Sequence, residues 1–328
     1  ASRPRRWDAK PPEEFKDGVS FVLSNGELAT YKQGDEDRYF QLLSFKPTLL
    51  KNFLSLPNTR IEFSCLSNLT LHYADASYLL GCINREGQFQ VFFGLVAKLD
   101  IEKQRQLTAF SEPQKAKASY EYIRTNIEAQ FPETMPFNWT LSNCLKEVNF
   151  PWQQKFGETL LLSPKENDIL ALILIGPTSD DFNELADIML ELQKLLIPES
   201  KIENIKKQLD YASLTSDFES YKKMMSIGFM QLFFRRNRSD RTEGESYILK
   251  VINQLRNCKG HPKNVKKVLK KFSIPATSPR ASFLYIMSEF CNFLLAFKTL
   301  TEKVLGVSIK LRQRSDPWKQ LQVARRYF

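Results

Sequence analysis

The chain has 328 residues, of which 42% are hydrophobic and 26% are charged, with only 12 Gly and 16 Pro. This composition is that of a globular protein with a sizeable core. It excludes a chain dominated by linkers or low-complexity sequence, and the length suggests two domains or one large one. The formal charge of +10 is placed unevenly, because residues 201–328 hold 26 Lys and Arg against 10 Asp and Glu. A basic half of this kind indicates a module that meets an anionic partner.

The N-terminal segment predicts a tail, a hairpin and a helix. Prolines within residues 1–16 exclude regular structure and predict a flexible tail. In residues 18–32, Asn25 and Gly26 supply the left-handed positions of a tight turn between two short strands. Residues 39–56 are expected to be helical, with a kink at the proline inside this segment.

The next part of the chain predicts an antiparallel, partly twisted sheet, with strands in residues 60–65, 69–73, 77–82 and 87–96. A helix with a break near Pro113 is expected over residues 101–131. The unbroken apolar run of residues 168–175 predicts a strand buried on both faces. The helix that follows it has apolar residues at helical spacing, namely Phe182, Leu185, Met189, Leu192 and Leu196.

After residue 198 helices dominate the prediction. A capping box at residues 216–219 starts the first of them, and others are expected over residues 243–257, 262–272 and 280–305. We therefore predict an α+β or α/β N-terminal body with a mixed or antiparallel sheet, followed by a basic all-helical C-terminal module. The predicted divisions are a flexible tail, the α/β body, the basic helical module and a basic-aromatic C-terminal tail, at residues 1–16, 17–198, 199–312 and 313–328.

The main candidate for a binding surface is the segment of residues 262–272. Its lysines fall at i, i+3, i+4, i+7 and i+8, which makes one basic stripe on a helix: Lys263, Lys266, Lys267, Lys270 and Lys271. Apolar residues occupy the opposite side. Clustered cations bind the phosphate backbone of a nucleic acid because neutralising the phosphates releases their condensed counterions. Lysine contacts to phosphate fix the position of the protein on the backbone but do not read the base sequence. The alternative is a solvated helix face that keeps the protein soluble.

Two further groups of basic and aromatic residues are candidate contacts. Arginines follow Phe233 and Phe234 at a helix end, a mixture that can stack on unpaired bases and hold phosphate: Arg235, Arg236, Arg238 and Arg241. The alternative places the rings in the core and the arginines at the negative end of the helix. The C-terminal tail is a predicted partner-binding segment, with docking on its own protein as the alternative: Trp318, Arg325, Arg326, Tyr327 and Phe328.

The sequence predicts no catalytic residue, metal site or cofactor. Its five cysteines never form a C-x-x-C pair, which favours reduced thiols in an intracellular, cytoplasmic or nuclear protein. Cys258 and His261 lie close in sequence, but the residues between them are typical of a helix end. The apolar residues 283–300 are interrupted by polar ones, so a buried core helix is expected and no transmembrane segment.

These observations predict a non-enzymatic subunit of a larger assembly that contacts the RNA or DNA backbone through its basic helical module, while the body binds other protein subunits. The first alternative is an interaction or scaffold subunit whose basic face docks an acidic protein. The second alternative is a nucleic-acid-processing enzyme with catalytic carboxylates in residues 1–200, where Asp and Glu outnumber Lys and Arg.

Overall fold

The structure is a computed structural model that describes residues 19–31, 36–74, 76–161, 176–193, 202–209, 226–240, 242, 244–306 and 316–327. The chain divides into two compact units, Ala1–Glu133 and Thr134–Phe328. The first unit contains antiparallel sheets with helices, and the described part of the second is helical. The predicted class, α+β with a helical C-terminal region, is therefore confirmed.

The predicted N-terminal hairpin is present. Strands β1 (Ser20–Val22) and β2 (Leu28–Thr30) pair antiparallel. Gly26 lies between them with φ +87°, a left-handed conformation that residues with a Cβ rarely adopt. The prediction that Asn25 also adopts a left-handed conformation is wrong, because within this turn only Gly26 has a positive φ. The Asn25 side chain instead accepts a hydrogen bond from the Glu27 amide at 3.1 Å.

A six-stranded sheet forms the centre of the first unit. Its members are β3 (Leu42–Phe45), β4 (Thr59–Phe63), β5 (Asn68–Tyr73), β6 (Ala76–Ile83), β7 (Phe89–Phe92) and β8 (Ser111–Glu112). They lie in the order β4-β5-β6-β7-β3-β8, and every neighbouring pair is antiparallel. The four predicted strands correspond to β4, β5, β6 and β7, but the last prediction, over residues 87–96, is wrong in its second half, because Phe93–Ala97 form a short helix. Gly81 allows β6 to approach β7 closely, since a Cβ there would lie 2.5 Å from the Gln90 carbonyl oxygen.

The predicted helix over residues 39–56 is wrong in its first half. Residues 42–45 form β3 instead, which inserts between β7 and β8, and Leu43 and Phe45 are completely buried there. The helices of the first unit are α1 (Glu36–Tyr39), α2 (Thr48–Ser55), α3 (Phe93–Ala97), α4 (Ile101–Thr108) and α5 (Tyr120–Asn126). The break expected near Pro113 is present, because β8 separates α4 from α5.

The described part of the second unit is a bundle of helices. They are α6 (Phe137–Phe156), α7 (Phe182–Gln193), α8 (Ile202–Gln208), α9 (Ser226–Asn237), a 3-10 turn (Gly244–Ser246), α10 (Tyr247–Arg256), α11 (Pro262–Lys271), α12 (Pro279–Leu305) and α13 (Pro317–Tyr327). The predicted strand at residues 168–175 and the predicted capping box at residues 216–219 lie outside the described residues.

Helix α12 is the centre of this bundle, and it packs against α6, α7, α9, α10 and α13. The Ser278 hydroxyl accepts a hydrogen bond from the Ala281 amide at its start, and Gly306 ends it in a left-handed conformation. Phe293 stacks on Phe297, with ring centroids 5.6 Å apart, and both rings contact Phe234 of α9. By length and composition α12 could also cross a membrane, a test that core helices pass as well.

The two units meet in sequence at residue 133, whereas the predicted body extends to residue 198. The difference arises because α6 and α7 pack against C-terminal helices: α6 against α12 and α13, and α7 against α10, α11 and α12. A domain boundary predicted from the distribution of charge does not take these contacts between distant segments into account.

Candidate nucleic-acid interface

Helix α11 is held to the second unit by its apolar side. Gly260 has φ +78° and reverses the chain after α10, and Pro262 occupies the start of α11, where its missing amide hydrogen costs nothing. Val265 and Leu269 are completely buried, and the helix packs against α7 and α10. The orientation of the helix is therefore fixed by hydrophobic contact, which directs its other side to solvent.

The five lysines of α11 are all exposed, as the stripe predicts: Lys263, Lys266, Lys267, Lys270 and Lys271. None of them forms an ion pair with a carboxylate of the described residues. Two make weaker contacts within the protein. The Lys266 ammonium lies 4.7 Å from the ring centroid of Phe182, and Lys271 donates to the Gln254 amide oxygen at 3.5 Å. The positive charge of this face is thus largely uncompensated by the described part of the chain.

The neighbours of α11 make one side of the surface more positive than the other. On α10, Lys250 is exposed one helical turn before Gln254, so it extends the positive surface. On the α7 side, Lys259 pairs with Asp187 at 2.9 Å, and the exposed Asp180 and Asp181 precede that helix. An anionic chain would therefore meet less repulsion over α11 and α10 than over α7. The sequence prediction did not include Lys250, although the helical spacing of the apolar residues around it indicates that its side chain is exposed.

The arginines at the end of α9 are only partly as predicted. Arg235 and Arg236 are exposed, and Arg241 lies outside the described residues. Arg238 forms ion pairs with Glu245 and, at 3.1 Å, with Asp240. The guanidinium group holds the pKa of the Asp240 carboxyl below its usual value. Two carboxylates thus compensate Arg238, which weakens it as a phosphate contact.

The rings that precede these arginines do not reach the surface. Phe233 and Phe234 are completely buried, and each of them contacts Phe297 of α12. The prediction that these rings stack on unpaired bases is therefore wrong, and the alternative that places them in the core is confirmed. The reason is tertiary, because α9 turns its aromatic side toward the central helix.

The structure does not bring the arginines and the lysine stripe into one cluster. Arg238 contacts Glu245 directly before α10, whereas Lys271 contacts Gln254 in the last turns of α10. The ten residues of α10 span about 15 Å at the helical rise of 1.5 Å per residue. The two basic groups thus lie near opposite ends of α10.

The C-terminal residues contact the second unit itself wherever the structure describes them. Trp318 is 8% exposed, and its indole N–H donates to the carboxylate of Glu147 on α6. Arg325 donates to the Asn292 amide oxygen at 2.7 Å on α12. These two side chains follow the self-docking alternative. Phe328 and the side chains of Arg326 and Tyr327 lie outside the described residues.

The described residues contain no group of His, Cys, Asp and Glu that could hold a metal ion. The five cysteines are free and buried. The Cys258 thiol donates to the Gln254 carbonyl oxygen at 3.1 Å, and burial raises the pKa of this thiol. Cys258 is thus directed to a backbone carbonyl and is not activated as a nucleophile.

No family model, curated protein or solved structure matches this chain.

Proposed function

We propose that the lysine face of α11, together with Lys250 of α10, binds the phosphate backbone of RNA or DNA, and that the chain is a non-enzymatic subunit of a larger assembly. The observation that carries this proposal is that five lysines are exposed on one rigidly packed helix, while none pairs with a described carboxylate. Such a face releases counterions from a polyanion when it binds, which favours association.

The chemistry of the surface supports contact with a backbone and not with bases. Lysine presents a compact point charge, whereas base readout usually relies on the bidentate fork of Arg, Asn or Gln. The buried rings of Phe233 and Phe234 cannot stack on a base. We therefore expect binding that tolerates changes of sequence and depends strongly on salt.

The test is a salt titration with a mixed-sequence DNA duplex and an RNA strand of about 24 nucleotides. If the five lysines of α11 and Lys250 each neutralise one phosphate, the slope of log K against log salt is about −5 for the duplex and about −4 for the single strand. Reversal of three lysines, in the variant Lys266→Glu/Lys267→Glu/Lys270→Glu, is expected to lower affinity at least tenfold. Folding should persist, because Val265 and Leu269 are unchanged.

The matched control changes the same net charge at other sites. Lys46, Lys117 and Lys146 are exposed and lie outside α10 and α11, so their reversal to Glu should lower affinity less than threefold. Equal losses in both triple variants would contradict a localised surface and would indicate an effect of net charge alone.

The docking alternative gives a different result in the same titration. If the basic face docks an acidic protein, both nucleic acids should bind weakly with a shallow salt slope, while polyglutamate of equal charge binds more tightly. Turnover of either nucleic acid with a divalent metal ion would instead support the processing enzyme.

A further inference from the structure

The first unit contains a pocket that the proposed function does not use. It has a volume of about 840 Å³ and lies between α2 and α4, over one end of β5 and β6. Small-molecule sites in proteins have volumes of about 300–1,000 Å³ and are mostly apolar. The size and position of this pocket are thus those of a ligand site.

The walls of the pocket are rich in aromatic rings. Phe53 and Tyr78 stack with their ring centroids 5.8 Å apart and an interplanar angle of 23°. Phe110 and the exposed ring of Tyr73 also line the pocket. Leu71 is completely buried in the sheet beneath. Ring faces carry partial negative charge, and the Lys103 ammonium already lies 5.9 Å from the Tyr78 ring centroid. The other rings of the walls therefore remain to favour an apolar group or an organic cation.

The charged groups of the pocket leave one carboxylate uncompensated. Asp100 pairs with Lys103 at 2.7 Å, and the Asp100 carboxylate also accepts from the Lys103 amide at the start of α4. Glu102 is exposed beside them and has no ion pair with a described residue. The charged lining groups Asp100, Glu102 and Lys103 therefore sum to one negative charge.

One polar group inside the pocket also lacks a partner. The Tyr78 hydroxyl makes no hydrogen bond with a described residue, although the side chain is half-buried. Burial, together with the charge of Asp100, raises the pKa of Tyr78 to about 12. The hydroxyl is therefore protonated near neutral pH and can donate to a ligand.

From these features we propose that the pocket binds a small organic cation, a molecule with an apolar body of one or two rings and one positively charged nitrogen. The apolar body contacts Phe53 and Phe110. The charged nitrogen lies on the exposed side of the lining, where the Glu102 carboxylate and the face of the Tyr73 ring attract it. An organic anion would be repelled by the same carboxylate. This site is in the first unit and is independent of the lysine surface.

The experiment uses the full chain and three probes of similar size: benzyltrimethylammonium, neutral benzyl alcohol and anionic phenylacetate. Backbone NMR shifts are followed during each titration. The cation should give saturable shifts at residues 52–57 and 100–110, with an affinity at least fivefold higher than that of benzyl alcohol. Equal affinity for the cation and the neutral probe, or the absence of saturable shifts at the pocket, overturns the proposal.

Two variants test the site further. Glu102→Gln should lower the advantage of the cation about threefold at low salt, whereas Glu86→Gln, an exposed change in the turn between β6 and β7, should not. Asn52→Trp places a large ring in the pocket from an exposed position of α2 and should abolish binding of every probe. Circular dichroism checks its fold. Unchanged binding by a folded Asn52→Trp variant, or an equal effect of the two glutamate variants, contradicts the proposal.

Discussion

The lysines of α11 repel one another, and this repulsion is expected to lower the stability of the second unit. They form five pairs at spacing i, i+3 or i, i+4: 263–266, 263–267, 266–270, 267–270 and 267–271. Like charges at these spacings destabilise a helix by about 0.2–0.5 kcal/mol per pair. The repulsion on α11 therefore amounts to about 1–2.5 kcal/mol at low salt.

Neutralisation at the N-terminal end should stabilise the protein. The variant Lys263→Gln/Lys267→Gln removes four of the five like-charge pairs. Lys263 also lies in the first turn, where the helix dipole disfavours a cation by about 0.3–1 kcal/mol. Neither side chain has a contact with a described residue that the change would lose. We expect the free energy of unfolding to rise by about 1–3 kcal/mol at low salt.

The same change of charge at the C-terminal end serves as the matched control. Lys270→Gln/Lys271→Gln removes three like-charge pairs. It also removes two cations from the last turn, where the helix dipole favours them, and the contact of Lys271 with Gln254. These terms offset one another, so the free energy of unfolding should change by less than about 0.5 kcal/mol.

Urea unfolding followed by tryptophan fluorescence measures both variants, because Trp152 and Trp318 are buried in the second unit. The difference between the variants should shrink when salt is raised from about 20 mM to 500 mM, since screening weakens interactions between exposed charges. Equal stabilisation by both variants, or a difference that persists at high salt, would refute this reasoning.

Two further predictions concern buried groups. Asn149 on α6 accepts from the backbone amides of Leu160 and Leu161 and donates to the Leu161 carbonyl. Asn149→Ala leaves these buried groups unpaired, so urea unfolding should show a loss of about 3 kcal/mol; a loss under 1 kcal/mol would mean that water replaces the amide. Burial raises the pKa of Cys65 to about 11 and that of Cys82 to about 12. Because the unfolded thiols lose their protons first, stability of the first unit should fall from about pH 9 upward, and a Cys65→Ala/Cys82→Ala variant that falls equally would exclude these thiols.

Elements whose structure is specified locally could be predicted from the sequence. Gly26 specifies the turn of the β1–β2 hairpin through its left-handed backbone, and the Asn25 side chain accepts from the Glu27 amide beside it. The segment at residues 262–272 contains its own start at Pro262, its buried side and its charged side, and the helix found there is Pro262–Lys271. In both cases the decisive interactions span fewer than about 15 residues.

Elements that depend on distant partners could not be predicted in this way. The segment of β3 has an apolar run that suits a helix or a strand, and it becomes a strand because β7 and β8 pair with it on both sides. The sequence pattern predicts no helix over the segment of α6, which contains Pro151 and is buried on several sides. Burial of this kind removes the amphipathic period by which a surface helix is recognised.

At the candidate site, too, some features follow from local sequence and others depend on residues far away in the chain. The exposure of the five lysines follows from helical spacing, which is local. The compensation of Arg238 depends on Glu245, and the burial of Trp318 depends on Glu147, which is 171 residues away in the chain. Sequence patterns therefore identify which residues can bind a partner, but the fold decides which of them are already paired.

The two sides of α11 have opposite effects on stability, and this contrast supports a binding role for the charged side. Burial of Val265 and Leu269 stabilises the unit by about 1.5–3 kcal/mol for each side chain. This gain exceeds the repulsion of about 1–2.5 kcal/mol among the lysines, so the helix folds without a partner. If this surface served only solubility, replacement of Lys263 and Lys267 would reduce solubility little and would make the protein more stable. Under the proposed function, a bound polyanion would remove this repulsion, and its relief would become part of the binding free energy.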